Sequence, residues 1–148
     1  MDLGPARELS RREDIFELLR TIRRVAVLGI KTEKQADQAA FYVPRYLVDA
    51  GIEVVPVPVY YPEVTQILGR PVHRTLASIS PPVDLVDVFR RPQDLMAHLP
   101  DVLAAKPRAV WLQSGIRDYA FSKALVAAGI FVVQDRCLMV DHRALARS

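Results

Sequence analysis

Five short apolar runs separated by helix-length segments constrain this chain more than any other feature. They read VAVLGI (25–30), IEVVPV (52–57), VDLVDVF (83–89), AVWLQS (109–114) and IFVVQ (130–134). The first is continuous and rich in β-branched residues, the pattern of a strand covered on both faces. The intervening segments have helical character. Ser10-Arg11-Arg12-Glu13 has capping-box spacing and opens a helix over about 11–22. A second helix ends at Ala50 with Gly51 as its C-terminal cap, and Pro44 forces either a kink or a start near Tyr42. Pro92 suits the first turn of a helix over 92–105, Asp118 caps one that runs through Ala128 to Gly129, and a last helix covers about 138–146. The proline-rich PVYYPEV and ILGRPVHRTLASI read as loop, a short strand and a turn of helix. Strands alternating with such helices require right-handed crossovers and predict an α/β protein: a doubly wound, mostly parallel sheet with helices on both faces.

In a sheet of this kind the ligand lies beyond the carboxyl ends of the strands, where the winding reverses. The search therefore narrows to Gly29–Ala36, Pro58–Tyr61, Phe89–Pro92, Gln113–Ile116 and Asp135–Cys137. Gly29 could turn the chain sharply so that backbone N–H groups face an anion. The run G-I-K-T-E-K lacks the further glycines of the dinucleotide fingerprint, and the second strand ends in Pro-Val-Pro with no acid for a ribose, which argues against ordinary NAD binding. Lys31, Thr32 and Lys34 offer charge-assisted and hydroxyl hydrogen bonds to phosphates in place of glycine amides, or else form a solvated loop. Phe89-Arg90-Arg91-Pro92 sets two guanidinium groups just before a helix N-terminus, where fixed positive potential favours an anion. Val57 or Phe89 could wall an adenine. Trp111 reads as core, whereas Gln113 and Ser114 fall at a strand exit with polar groups free to meet a ligand.

Other chemistry finds little support. Cys137 reads as a small buried hydrophobe, and His73, His98 and His142 show no metal-ligand spacing with it or with one another. No Ser/His/Asp order, H-E-x-x-H or Walker loop is present. The net charge of +3 is scattered over pairs such as Arg11-Arg12, Arg23-Arg24 and Arg90-Arg91, a poor footprint for nucleic acid and an adequate one for a small anion. The 148 residues suit one domain, expected over 11–148 behind a frayed stretch at 1–10. No apolar run approaches the roughly 20 residues of a membrane span. The mixed charges of the first twenty residues resemble neither a secretory signal nor a transit peptide, and a single cysteine agrees with a reducing compartment, so a cytoplasmic location is expected.

Taken together, VAVLG, YVPRYLVDAGIEVVPV, ILG, VDLVDVFRRP, VWLQSGI and DRCLMVDH resemble the small stand-alone bacterial CoA-binding proteins related to the CoA-binding domain of the succinyl-CoA synthetase α subunit. The resemblance spans roughly 12–146 and implies a Rossmann-like fold with coenzyme A, or an acyl-CoA, lying across the strand exits. The matching positions are Gly29, Ile30, Lys31, Thr32 and Lys34 after strand one, Val57, Pro58 and Val59 after strand two, and Phe89, Arg90 and Arg91, with Gln113 and Ser114 as neighbours. Two features depart from the family. The first loop, K-T-E-K-Q-A-D-Q, is longer and has no Arg, and the customary Pro-Val-Asn-Pro reads Pro56-Val57-Pro58-Val59. The expectation is a non-catalytic CoA-binding protein in which loop amides, Lys31, Lys34 and Arg91 neutralise the phosphates while Val57 and Phe89 border the adenine. The alternatives are a subunit of an acyl-CoA ligase or reductase completed by a separate partner, and an interaction module that has lost CoA. An apolar strand or helix edge leaves room for a homodimer.

Overall fold

The computed structural model describes residues 3–148, and each of the five apolar runs forms a parallel strand of one sheet. In chain order the elements are α1 (Arg12–Leu19), β1 (Arg24–Leu28), α2 (Ala39–Asp49), β2 (Glu53–Val57), β3 (Gln66–Ile67), β4 (Arg70–Pro71), β5 (Leu85–Val88), α3 (Leu95–Ala105), β6 (Ala109–Leu112), α4 (Tyr119–Ala127), β7 (Phe131–Val133) and α5 (Leu138–Ala146). Short 3-10 turns occupy Glu33–Gln35 and Pro92–Asp94. The sheet order is β2-β1-β5-β6-β7, and β3 with β4 forms a separate antiparallel hairpin. From β1 the chain winds outward to β2, then returns to β5 and winds the other way. The reversal lies between β1 and β5, so the fold is the doubly wound, Rossmann-like α/β arrangement that the sequence predicts.

Side chains alternate between the two faces. Val25 and Val27 of β1, Leu85 of β5 and Trp111 of β6 join the core beneath α1, α2 and α5, while Ala26, Leu28, Val86, Val88 and Leu112 join the core beneath α3 and α4. Trp111 is fully buried and donates its indole N–H to the carbonyl of Arg136 at 2.7 Å, so both its ring and its polar edge are satisfied. Truncating such a residue costs about 3–5 kcal/mol. Asp87 breaks the apolar rule. It lies between Val27 and Trp111 in the register, fully buried, and neither carboxylate oxygen has a partner among the described residues. Burial alone pushes its carboxyl well above the usual carboxylate range.

Two expectations are corrected, and one pair of alternatives is decided. The segment before α1 is not frayed from residue 7 onward. Leu9 is 1% exposed, its N–H donates to the carbonyl of Val132 at 2.7 Å, and Val132 N–H donates to Arg7, so residues 7–9 lie along β7. Met1 and Asp2 fall outside the described residues. Ser10 does not cap α1; the residue at that point is Arg11, extended and without a side-chain cap, because the chain is still leaving its pairing with β7. Of the two alternatives for α2, the start near Tyr42 is not the one realised: the helix starts at Ala39 and carries Pro44 inside it. A proline there frees the carbonyl four residues earlier, that of Ala40, and the N–H of Lys31 donates to it at 3.1 Å. The interruption within α2 thereby ties down the loop that follows β1.

Both sheet edges are covered. His73 N–H donates to the Pro56 carbonyl on the outer side of β2 at 2.9 Å, and residues 7–9 cover β7 at Val132. A second copy could extend the sheet at those residues only by displacing these segments. No helix among the described residues is long and apolar enough to cross a membrane.

Candidate functional site

Gly29 sets the geometry at the reversal point. Its φ is +86°, and a Cβ at this position would lie 2.3 Å from the carbonyl oxygen of Phe89, so only glycine lets the exits of β1 and β5 approach so closely. Backbone bonds join three strands here. Gly29 N–H donates to Val57 at 2.9 Å, and Phe89 N–H donates to Leu28 at 2.9 Å. Above them Gly29, Ile30, Lys31, Tyr60, Tyr61, Phe89, Arg90 and Arg91 line a crevice of about 180 Å³.

The loop from Lys31 is built rather than slack. Thr32 caps the 3-10 turn: its hydroxyl donates to the Gln35 side-chain carbonyl at 2.8 Å and accepts from Lys34 N–H, while the same Gln35 oxygen accepts from Thr32 N–H at 3.1 Å. Glu33 accepts from Leu68 N–H at 2.8 Å, which ties this turn to the β3–β4 hairpin. Between them Thr32, Glu33, Lys34, Gln35, Tyr61, Glu63, Val64 and Gln66 line a second recess of about 290 Å³. Tyr61 borders both, so crevice and recess are neighbours. Its φ of +63° is a left-handed conformation that costs a non-glycine residue about 1–2 kcal/mol. Arg74 holds it there, donating to the carbonyls of Tyr60, Tyr61 and Val64 at 3.1, 2.8 and 2.8 Å.

The cations divide into two kinds. Arg90 is largely enclosed and bound on several sides, to His98, Asp94 and Tyr60. Arg91 is 71% exposed and donates to Asp94 at 2.9 Å; that hydrogen bond holds the Asp94 carboxyl below its usual range and Arg91 above. Lys31 and Lys34 have no ion-pair or hydrogen-bond partner for their ammonium groups among the described residues. The site thus faces solvent with two unneutralised ammonium groups and one exposed guanidinium.

The structure brings together Gly29, Ile30, Lys31, Phe89, Arg90 and Arg91, with Thr32 and Lys34 in the adjoining recess. Thr32 is buried, and its proton is committed to Gln35. Val57 is 1% exposed and part of the core, contributing its carbonyl to Gly29. Pro58 is buried, and Val59 lines a neighbouring recess with Tyr60, Tyr61, Pro62 and Arg74. Gln113 is buried, its side-chain carbonyl accepting Leu138 N–H at 3.1 Å at the start of α5, and exposed Ser114 borders neither recess. Tyr60 and Tyr61, which lie in the Pro58–Tyr61 exit but to which the sequence alone assigns no role, complete the crevice. Two adjacent aromatic residues just past a strand exit, within a proline-rich stretch, are the available signal.

The chain is similar to known proteins. The chain is 30% identical over 129 residues to YneT of Bacillus subtilis (strain 168), covering 87% of this chain and 92% of that one. Among solved structures it matches cell-free ID.343 from Thermus thermophilus at a TM-score of 0.83 with 44% identity, covering 92% of this chain and 99% of that one. It also matches a hypothetical protein from Pyrococcus horikoshii OT3 at a TM-score of 0.83 with 27% identity, covering 99% of each chain. Residues 23–143, from the residue before β1 to within α5, match the CoA binding domain family model, and the chain belongs to that family.

Proposed function

We propose that this protein binds coenzyme A or an acyl-CoA without catalysing a reaction on it, at the carboxyl ends of β1, β2 and β5. Membership of the CoA binding domain family supports CoA as the ligand class. The observation that carries the placement is the convergence of Lys31, Arg90 and Arg91 on one crevice at the winding reversal, floored by the close approach of Gly29 to Phe89. The phosphates of CoA lie against Lys31, Arg91 and the amides after Gly29, with Lys34 reaching in from the adjoining recess. Lysine takes over the charge that the family's arginine supplies, as a compact point charge without a bidentate fork. Phe89 and Tyr60 offer the adenine ring faces on which to pack. Thr32 and Gln113 act on the frame of the site, through the 3-10 turn and the start of α5, and not on the ligand.

Calorimetric titration with CoA, NAD and ATP in parallel tests this reading, on the natural sequence and on Lys34→Ala and Arg91→Ala. Micromolar CoA binding that weakens in both variants, with NAD and ATP silent, is the expected result. No CoA heat at millimolar ligand would overturn the proposal and favour a family member that serves as an interaction module.

A further inference from the structure

Arg90 lines the crevice, yet its side chain is only 14% exposed and its nitrogens are already engaged. Its Nε–H donates to Nε2 of His98 at 3.1 Å, Nη1 donates to the Tyr60 hydroxyl at 3.4 Å, and Nη2 lies 3.7 Å from Asp94. The guanidinium also sits 5.7 Å from the centre of the Tyr60 ring. Arginine has donors only, so His98 must accept with an unprotonated Nε2. The imidazole in this geometry is therefore neutral, with its proton on Nδ1. A proton added to Nε2 removes the acceptor and sets a second positive charge against the guanidinium.

We infer that His98 is a positioning residue of the anion site: neutral, it holds Arg90 down against α3, and protonated, it releases the guanidinium to a phosphate in the crevice. This rests on the CoA reading above and adds to it a regulation by pH. The charged and titratable groups around His98 are Arg90 from the β5 exit, Asp94 and Asp101 from the α3 side, and Tyr60 reached through Arg90. Burial first and Arg90 second hold the imidazole below its ordinary value, while Asp101 and Asp94 pull it back up. Asp101 already accepts from the N–H groups of Leu76 and Ala77 at 2.7 and 2.9 Å, one on each oxygen, which anchors the carboxylate to that loop. Free protein at neutral pH thus keeps the lock closed. An anion in the crevice compensates both cations and favours the charged imidazole. Linkage makes the effect reciprocal: binding takes up a proton, and affinity rises as pH falls through the imidazole range.

The test compares the natural sequence with His98→Gln, whose side-chain carbonyl can accept from Arg90 but takes no charge. CoA affinity is measured from pH 8 to pH 5.5 in two buffers of different ionisation enthalpy. The variant reports the titration of the ligand's own phosphate, so the difference between the two profiles belongs to His98. The natural protein is expected to gain more affinity over this range than the variant, by up to about tenfold, the limit reached when the complex holds one proton about tenfold more tightly than the free protein does and the pH has fallen below both values. It is also expected to take up a proton that the variant does not. Parallel profiles would overturn the inference. Imidazole NMR titration of the ligand-free protein provides a readout independent of CoA. His98 is expected to titrate below its ordinary value, to move up in Arg90→Met, and to move up when inorganic pyrophosphate is added. If CoA binds at no pH, the CoA reading fails and the pyrophosphate titration still decides the lock. A His98 signal unmoved by both Arg90→Met and pyrophosphate would overturn it.

Discussion

The two halves of the sheet finish their strands in opposite ways. Beyond β6 and β7, polar groups are consumed internally. Gln113 accepts from Leu138 N–H, Asp135 from Gly115 N–H at 2.6 Å, and Gln134 from Asp118 N–H at 2.8 Å. The Gln134 side-chain nitrogen donates to Glu8, and Arg136 grips Asp141 through two bonds of 2.8 and 2.7 Å. Beyond β1 and β5, by contrast, the backbone is pinned through Gly29, Lys31, Thr32 and Phe89, while the ammonium groups of Lys31 and Lys34 have no partner among the described residues. Both halves present the same ends of parallel strands and use them differently: one closes its loops upon themselves, and the other holds a rigid backbone beneath uncommitted positive charge. The second arrangement is what an anion site requires, because its groups lose little by turning to a ligand.

That contrast can be broken at four places, taken in order of expected effect. Gly29→Ala places a Cβ against the Phe89 carbonyl and strains a left-handed φ, so denaturant unfolding should show a loss of about 3 kcal/mol and CoA binding should vanish with it. Arg136→Ala leaves the Asp141 carboxylate, 10% exposed, without its two charged hydrogen bonds. A stability loss of about 2 kcal/mol is expected, with the Kd for CoA unchanged; a weakened Kd would mean that the closed half also serves the ligand. Asp87 lies on the seam between the halves. Its folded pKa is raised, so its contribution is fully present below the unfolded aspartate range and is lost as pH rises toward the folded value. The unfolding free energy from urea titrations should fall with a slope of up to about 1.4 kcal/mol per pH unit across that window, and Asp87→Asn should flatten it. Lys31→Ala and Arg91→Ala should each lower CoA affinity about fivefold to tenfold, more at low salt, with stability changed by less than about 0.5 kcal/mol.

The architecture is legible because buried parallel strands are written as apolar runs, and each run forms a strand. Local caps are less legible, and two similar tetrapeptides show why. Ser10-Arg11-Arg12-Glu13 has the capping-box spacing and does not cap, because residues 7–9 pair with β7 and the helix begins one residue later than the motif implies. Thr32-Glu33-Lys34-Gln35 has the equivalent spacing, reads from sequence as a phosphate-binding hydroxyl, and does cap. Tertiary pairing decides the first case, and a 3-10 turn too short to show a periodicity hides the second. The start of α2 is obscured by Pro44, whose missing N–H is accommodated by Lys31, 13 positions earlier in the chain. The hairpin at β3–β4 reads only as a short strand. Its turn residues, Leu68 and Gly69, both have positive φ, and leucine gives no sequence signal for that conformation. At the site, the glycine and the charges stand out, whereas the tyrosines need the fold to bring 60–61 over Gly29.

Backbone amide NMR of the protein titrated with CoA tests the central claim most directly, because it reports where the ligand sits. The account predicts saturable shifts at Gly29–Lys34, Tyr60–Tyr61 and Phe89–Arg91, with Gly115–Asp118 and Gln134–Leu138 left in place. Shifts concentrated in the second group, with the first unmoved, would contradict it.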